Sequence, residues 1–393
     1  MTLSPKLRLG ILASHPVQYY TPLYQELSRH LDVHVFYAHR QSAAAQAKAG
    51  FGVAFEWDVD LLASHDHTFL NNCARDPSTD RFSGCDTPDI VRHIAVGEFD
   101  AFLVMGWYLK SHLQAIVACR RQGVPLLVRG DSHLSTPRNF LKRWLKALLY
   151  PLLMRQFAAA LPVGTHNRAY YRHYGLPNQQ LFSSPHCINN RFFADRAAMI
   201  SRVAARAALG ISDNTAVILF VGKLLDRKRP SDLLAAAACL AQQRDVCVVL
   251  AGDGPLRGAL EAQAQALGLP VRFLGFRNQT QLPEAYVLAD VLCLPSDGSE
   301  TWGLVCNEAL ACGTPVVVSD AVGCAPDLAC EGVSGAVFPL GDVPALAVAL
   351  TRGLALGRDH AALAEVAARH DVPMAALGIR QATKFVRNLR HAR

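Results

Sequence analysis

Two glutamates stand eight residues apart in SDGSETWGLVCNEALACGTPVVVSD, residues 296–320, with Gly303 and Leu304 between them. The preceding run ADVLCLP reads as a strand that stops at Pro295, and SDGSET reads as a loop. A helix is expected from about Trp302–Gly303 through ALAC, ended by Gly313 as a glycine past a helix terminus commonly does. Glu300 then lies in a loop at the carboxyl end of a strand, and Glu308 about a turn and a half into the helix. Backbone N–H groups of Gly303 and Leu304 at the helix start make an anion site, and the helix dipole adds to it. A phosphate there, flanked by two carboxylates that can each grip a diol, describes a ligand of the form sugar–diphosphate–ribose. Taken alone, the spacing is better explained by a solvent-exposed loop charge at Glu300 and a favourable first-turns acid at Glu308; the surrounding residues change that balance.

Such a loop has meaning only on a frame. Short β-branched runs alternate with Ala/Leu-rich helical stretches along the chain: RLGILAS, VHVFYA, AFLVMG, PLLVRG and AAALPVG, then AVILFVG, VCVVLAG, VRFLGF, ADVLCLP and TPVVVSD. Runs apolar on both faces indicate parallel strands covered by helices, and the strand–helix alternation indicates α/β layers. The fold expected is a pair of Rossmann-like, doubly wound parallel-sheet domains facing across a cleft, with ligands at the carboxyl ends of the strands. The turn-rich segment around Pro185 to Asp195 separates the two series. Expected domains are residues 1–187, residues 188–370 and a terminal helix, residues 371–393, packing back on the first.

The chain has 393 residues, 51% of them hydrophobic and 18% charged, with a net charge of +7. This composition suits a globular two-domain chain, not a disordered one. The diffuse basic excess suits an anionic small substrate or an anionic membrane surface, and nothing in it argues for nucleic acid. LRLGILASH reads as a first strand and not as a secretory leader, so a cytoplasmic setting is expected, with the inner face of the membrane kept open. The eleven cysteines include no C-x-x-C pair and read as reduced. Neither Cys306, Cys312, Cys324 and Cys330 nor the H-x-H of His65 and His67 has a usual ligand pattern, so no metal site is expected.

The block PSDGSETWGLVCNEALACGTPVVVSDAVGCAPDL resembles the E-x7-E region of retaining glycosyltransferase family four, whose fold is of the glycosyltransferase-B type. FVGKLLDRKRPSDLL, LAGDGPLRGALE and RFLGFRNQTQLPEAY resemble the neighbouring segments of that family in the expected order. The resemblance covers about residues 210–340 and is looser before them, where HPVQYYTPLYQEL and RGDSHL stand at strand ends. It implies that Glu300 contacts the donor sugar and that Glu308 holds the ribose. Gly303 and Leu304 would meet the donor phosphate, and Lys223 and Lys228 would neutralise the diphosphate. Gly275 and Phe276 would lie by the base, with Gly222 and Trp302 also on the donor side. His15 and Asp131 fall on the acceptor or phosphate side, with Asp131 or His133 standing in for a histidine near the sugar. Two departures are Lys223, where arginine is common, and Arg229, where glycine usually follows the lysine.

The resemblance implies transfer with retention from a UDP-, GDP- or similar nucleotide sugar, with no cofactor and no metal, to a glycan or lipid-linked acceptor. That places the expected work in cell-surface polysaccharide or lipopolysaccharide biosynthesis. A nucleotide-sugar epimerase and a non-catalytic sugar-nucleotide-binding subunit on the same fold are the rival readings. The basic, apolar run RNFLKRWLKALLYPLLMRQF, with Arg138, Lys142 and Lys146 four apart, reads either as a helix resting on an anionic bilayer or as an ordinary helix with its apolar side on the sheet. The second reading is preferred, because a helix is needed at this point of the fold in any case.

Overall fold

The computed structural model describes residues 6–41, 57–63, 65–136 and 139–391. Among these, twelve strands form two six-stranded parallel sheets. The first contains β1 (Arg8–Ala13), β2 (Asp32–Tyr37), β3 (Asp66–Phe69), β4 (Ala101–Met105), β5 (Leu126–Arg129) and β6 (Ala159–Ala160). The second contains β7 (Ala216–Val221), β8 (Val246–Ala251), β9 (Val271–Gly275), β10 (Val291–Leu294), β11 (Val316–Ser319) and β12 (Gly335–Phe338). Their orders are β3-β2-β1-β4-β5-β6 and β12-β11-β10-β7-β8-β9. Numbered within its own sheet, the second order is the same as the first read from the other edge. Both are the doubly wound arrangement, so each domain has one point where the direction of winding reverses: between β1 and β4, and between β7 and β10. Every residue of β7 and of β8 is buried, which is why these runs are apolar without alternation.

The two-domain α/β architecture expected from the alternation is the one observed. The strands that the periodicity did not reveal, β3 and β12, are four residues each and lie at sheet edges. Four residues on an edge are too few to show a period. The H-x-H pair spans the start of β3, His65 just before it and His67 within it: the Tyr37 hydroxyl lies 2.8 Å from His65 Nε2, and His67 Nδ1 lies 3.2 Å from the His65 carbonyl.

The chain leaves the first domain beside the place where it returns. Ile188 bridges Asp371, and between them lies the whole second sheet. The last helix, Val372–His391, buries Ala375, Ala376, Ile379, Ala382 and Val386 against Leu9, Ile11 and Leu103 of β1 and β4.

One expectation is corrected. The helix Phe140–Met154 does not lay its apolar side on the sheet: Met154 is its one buried residue, and Phe140 is 82% exposed. Arg138 lies outside the described residues, so the four-residue basic spacing is traced only from Lys142 to Lys146. No helix among the described residues is long and apolar enough to cross a membrane.

The departure at Arg229 has a backbone reason. Its φ of 52° and ψ of 42° are left-handed, a conformation glycine adopts freely. At Gly252 the requirement is stricter: φ is +146° and a Cβ would lie 1.9 Å from the Gly222 carbonyl oxygen. Gly252→Ala is therefore expected to destabilise the second domain by roughly 3 kcal/mol, read as a lowered urea midpoint.

Candidate functional site

The strand ends at the β7/β10 reversal point assemble the donor-side residues. After β7 the chain turns through Gly222 and Lys223 into a short 3-10 turn, Asp226–Lys228. After β10 it runs through Pro295 and the loop to Glu300. The two loops meet in an ion pair between Lys228 Nζ and Glu300 Oε2, both side chains mostly buried. Asp297 N donates to the Arg227 carbonyl at 2.9 Å and ties the loops together by backbone. Burial, with Arg227 and Lys228 adding repulsion, lowers the Lys223 pKa. A cation so placed is poised to gain from an arriving anion.

The helix that follows begins at Leu304, with Gly303 at its cap in a left-handed conformation, φ 100°. A Cβ on Gly303 would approach Leu294 Cδ2 at 2.6 Å, so this position needs glycine twice over. The helix runs to Ala311, one residue short of the expected stretch, and Gly313 beyond it has φ +74°.

Glu308, on the inner side of that helix, has no solvent exposure. Tyr19 of the first domain donates its hydroxyl to Glu308 Oε1 at 2.7 Å, and Tyr286 donates to Oε2 at 2.5 Å. Burial pushes the Glu308 carboxyl up to about 7, against the pull of the two hydroxyls. Both tyrosines are raised by burial and by the carboxylate beside them, so they remain donors. Glu308 and Tyr19 line a cavity of about 150 Å³ together with Gly222, Lys223, Asp253 and Phe276. Gly275, φ +68°, ends β9 just before Phe276.

On the facing domain, His15 follows β1, its Nδ1 2.9 Å from Ser14 Oγ. Burial, then His39, lowers its pKa to about 4, so at neutral pH it offers a hydrogen bond and no charge. Asp131 follows β5 and accepts a 2.6 Å bond from Thr301 Oγ1, next to Glu300. It borders a second cavity of about 290 Å³ with Tyr20, Trp107, Arg129, Lys146 and Tyr150. Two expected site residues stand elsewhere. His133 is buried beside His166, with rings 6.1 Å apart, and lines neither cavity. Trp302 is wedged between the domains: its Nε1 donates to Asn307 Oδ1 at 2.8 Å, and its ring lies 5.5 Å from His186 and 5.6 Å from His370. Its bulk fills the space a Cβ on Gly164 would need, so its ring packs between the domains.

Residues 201–370 match the family described as glycosyl transferases group 1. The chain is 42% identical over 153 residues to the D-inositol 3-phosphate glycosyltransferase of Mycolicibacterium vanbaalenii, an overlap covering 35% of this chain and 33% of the relative. It is 39% identical over 178 residues to the protein of the same name in Mycolicibacterium smegmatis, covering 43% and 39%. The chain thus spans between a third and two fifths of the length of the curated relatives it matches. Over nearly its whole length it superposes on HepE of Anabaena in complex with UDP, with a TM-score of 0.71 at 19% identity, covering 96% of this chain and 98% of that one. The sucrose-phosphate synthase of Thermosynechococcus elongatus gives a TM-score of 0.69 at 20% identity, covering 99% and 100%. The fold is of the glycosyltransferase-B type.

Within this fold the residues that sequence reasoning passed over are Tyr19 and Tyr286. Tyr19 sits in SHPVQYY, where His15 drew attention as the titratable group, and Tyr286 looks like a core aromatic of its helix. A carboxylate with no exposure needs donors, and a search for hydroxyls at strand ends would have found Tyr19. The raised carboxyl has a testable sign. Between the ordinary value of 4.5 and about 7, the folded chain keeps a proton at Glu308 that the unfolded chain has lost. Stability should therefore fall across that window by up to about 3 kcal/mol and level off above it. Urea unfolding at pH 5 and pH 8 should show this component in the native chain and not in Glu308→Gln. Equal pH dependence in both would mean that Glu308 is already ionised at pH 5.

Proposed function

We propose that the chain is a retaining glycosyltransferase that moves a hexose-type sugar from a nucleotide-diphosphate sugar to a glycan or lipid-linked acceptor. We place its work in cell-surface polysaccharide or lipopolysaccharide biosynthesis, on the cytoplasmic side of the membrane. The observation that carries the reading is the arrangement at the β7/β10 reversal point, where a buried Glu308 and a Lys228–Glu300 pair flank the start of one helix. The UDP held by HepE, on the same fold, is the kind of ligand such a site accommodates.

In this reading two contacts within the site, Tyr19–Glu308 and Lys228–Glu300, are exchanged for contacts to the donor. The ribose diol takes a Glu308 oxygen from Tyr19, the diphosphate takes Lys228 from Glu300, and Glu300 turns to the sugar hydroxyls. Gly222 and the Gly303–Leu304 backbone approach the phosphates, and Gly275 and Phe276 border the base. Transfer breaks the bond from the anomeric carbon to the diphosphate oxygen and forms one to the acceptor oxygen on the same face. The acceptor proton passes to the departing phosphate. No side chain acts as nucleophile; the protein stabilises the charge that builds on the diphosphate through Lys223, Lys228 and the helix start, in a role a metal ion fills in other transferases. His15 and Asp131 are assigned to the acceptor or phosphate side.

One lost contact of this kind costs about 3 kcal/mol of barrier. Lys228→Ala and Glu300→Ala should each lower kcat about a hundredfold while leaving the melting temperature of the unliganded chain within a few degrees. The matching nucleoside diphosphate, at a hundred times its Kd, should stabilise the chain by about 2.7 kcal/mol, and Glu308→Ala should abolish the shift. Product analysis checks the chemistry. An altered nucleotide sugar formed without acceptor would replace transfer with epimerisation, and binding with no turnover on any acceptor would leave a binding subunit.

A further inference from the structure

The helix Phe140–Met154 carries an exposed apolar face that the site does not explain. Its buried and half-buried residues are Lys146, Tyr150, Pro151, Leu153 and Met154, and all but Pro151 fall on the i, i+4, i+7, i+8 line of a helix. Off that stripe, Phe140, Leu141, Trp144, Leu148 and Leu152 are 54–82% exposed. Contiguous apolar surface on this scale marks a binding face and not ordinary solvent-facing surface.

The charge around it indicates the occupant. No acidic residue occurs between Asp131 and Asp195, whereas Lys142, Arg143, Arg155 and Arg172 are exposed along this helix and the neighbouring one, Thr165–His173. A second protein surface of the usual mixed composition would leave these cations unmatched. An array of anionic headgroups over hydrocarbon matches both the cations and the apolar side chains. We infer that this helix lies in the interface of an anionic bilayer, with Trp144 and Leu148 entering the acyl boundary and Lys142 and Arg143 among the headgroups.

The inner stripe gives the docking a use. Lys146, whose ammonium sits 4.3 Å from the centre of the Tyr150 ring, and Tyr150 itself form one wall of the cavity that Asp131, Arg129 and Tyr20 close from the other side. One helix thus has the bilayer on its outer face and the acceptor-side cavity on its inner face. On the transfer reading proposed above, the polar head of a lipid-linked acceptor enters that cavity while its lipid stays in the membrane.

The test is flotation of the full chain with vesicles of phosphatidylcholine alone and with about a third phosphatidylglycerol. Binding to the anionic vesicles, weakened by salt, is expected. Leu148→Glu should abolish it, and Lys142→Gln with Arg143→Gln should weaken it about 30-fold. All three substituted side chains are exposed, so thermal melts should stay unchanged. Failure to float, or flotation indifferent to Leu148→Glu, overturns the inference. So does a stable dimer in sedimentation that Leu148→Glu dissociates, because a second copy would then cover the helix. Flotation involves neither donor nor turnover, so its failure would leave the proposed transfer standing.

Discussion

A carboxylate with no access to water is the constraint around which the cleft is organised. Burying the charge of Glu308 without donors would cost several kcal/mol, and the chain meets that cost with two phenols drawn from different domains. Tyr286 comes from the same domain and holds one oxygen whatever the domains do. Tyr19 comes from the loop after β1, so the second bond exists only while the domains are together. The titration of one side chain is in this way tied to the distance between two sheets.

The same economy runs through the rest of the site. Lys228 faces Glu300, Asp131 faces Thr301, and Thr165 donates through its backbone and hydroxyl to Asp327. The donor-side cavity is accordingly small, about 150 Å³, against roughly 300 Å³ or more for common ligand pockets. The main charged and hydroxyl groups of the cleft are paired with one another. A ligand gains the difference between its own contacts and these, which favours one that supplies diol, diphosphate and base together over any fragment of it.

How far the sequence reaches depends on what each feature needs. The two sheets were legible because β7 and β8 are buried on both faces, and the position of Glu300 and Glu308 followed from a strand end, a glycine and a helix. The direction of the Trp302 ring was not legible: position in a motif says which loop a residue occupies, not which way its ring turns, and Trp302 turns towards His186 and His370. Tyr19 lies 289 residues from Glu308, and no local pattern reports such a pair. The helix Phe140–Met154 was read as a sheet-covering helix because apolar periodicity does not distinguish protein from another apolar medium; its exposure is a tertiary fact.

The return of the chain at Asp371 has a consequence for synthesis. The last helix supplies core side chains to β1 and β4, so the first domain is interrupted by the second and completed only after it. On the ribosome the usual order, amino-terminal domain first, is reversed in effect. The second sheet has all its strands while the first still lacks the part of its covering layer that the last helix adds beside Leu23, Tyr24 and Leu27. The nascent first domain waits with that layer incomplete until the last helix, Val372–His391, emerges.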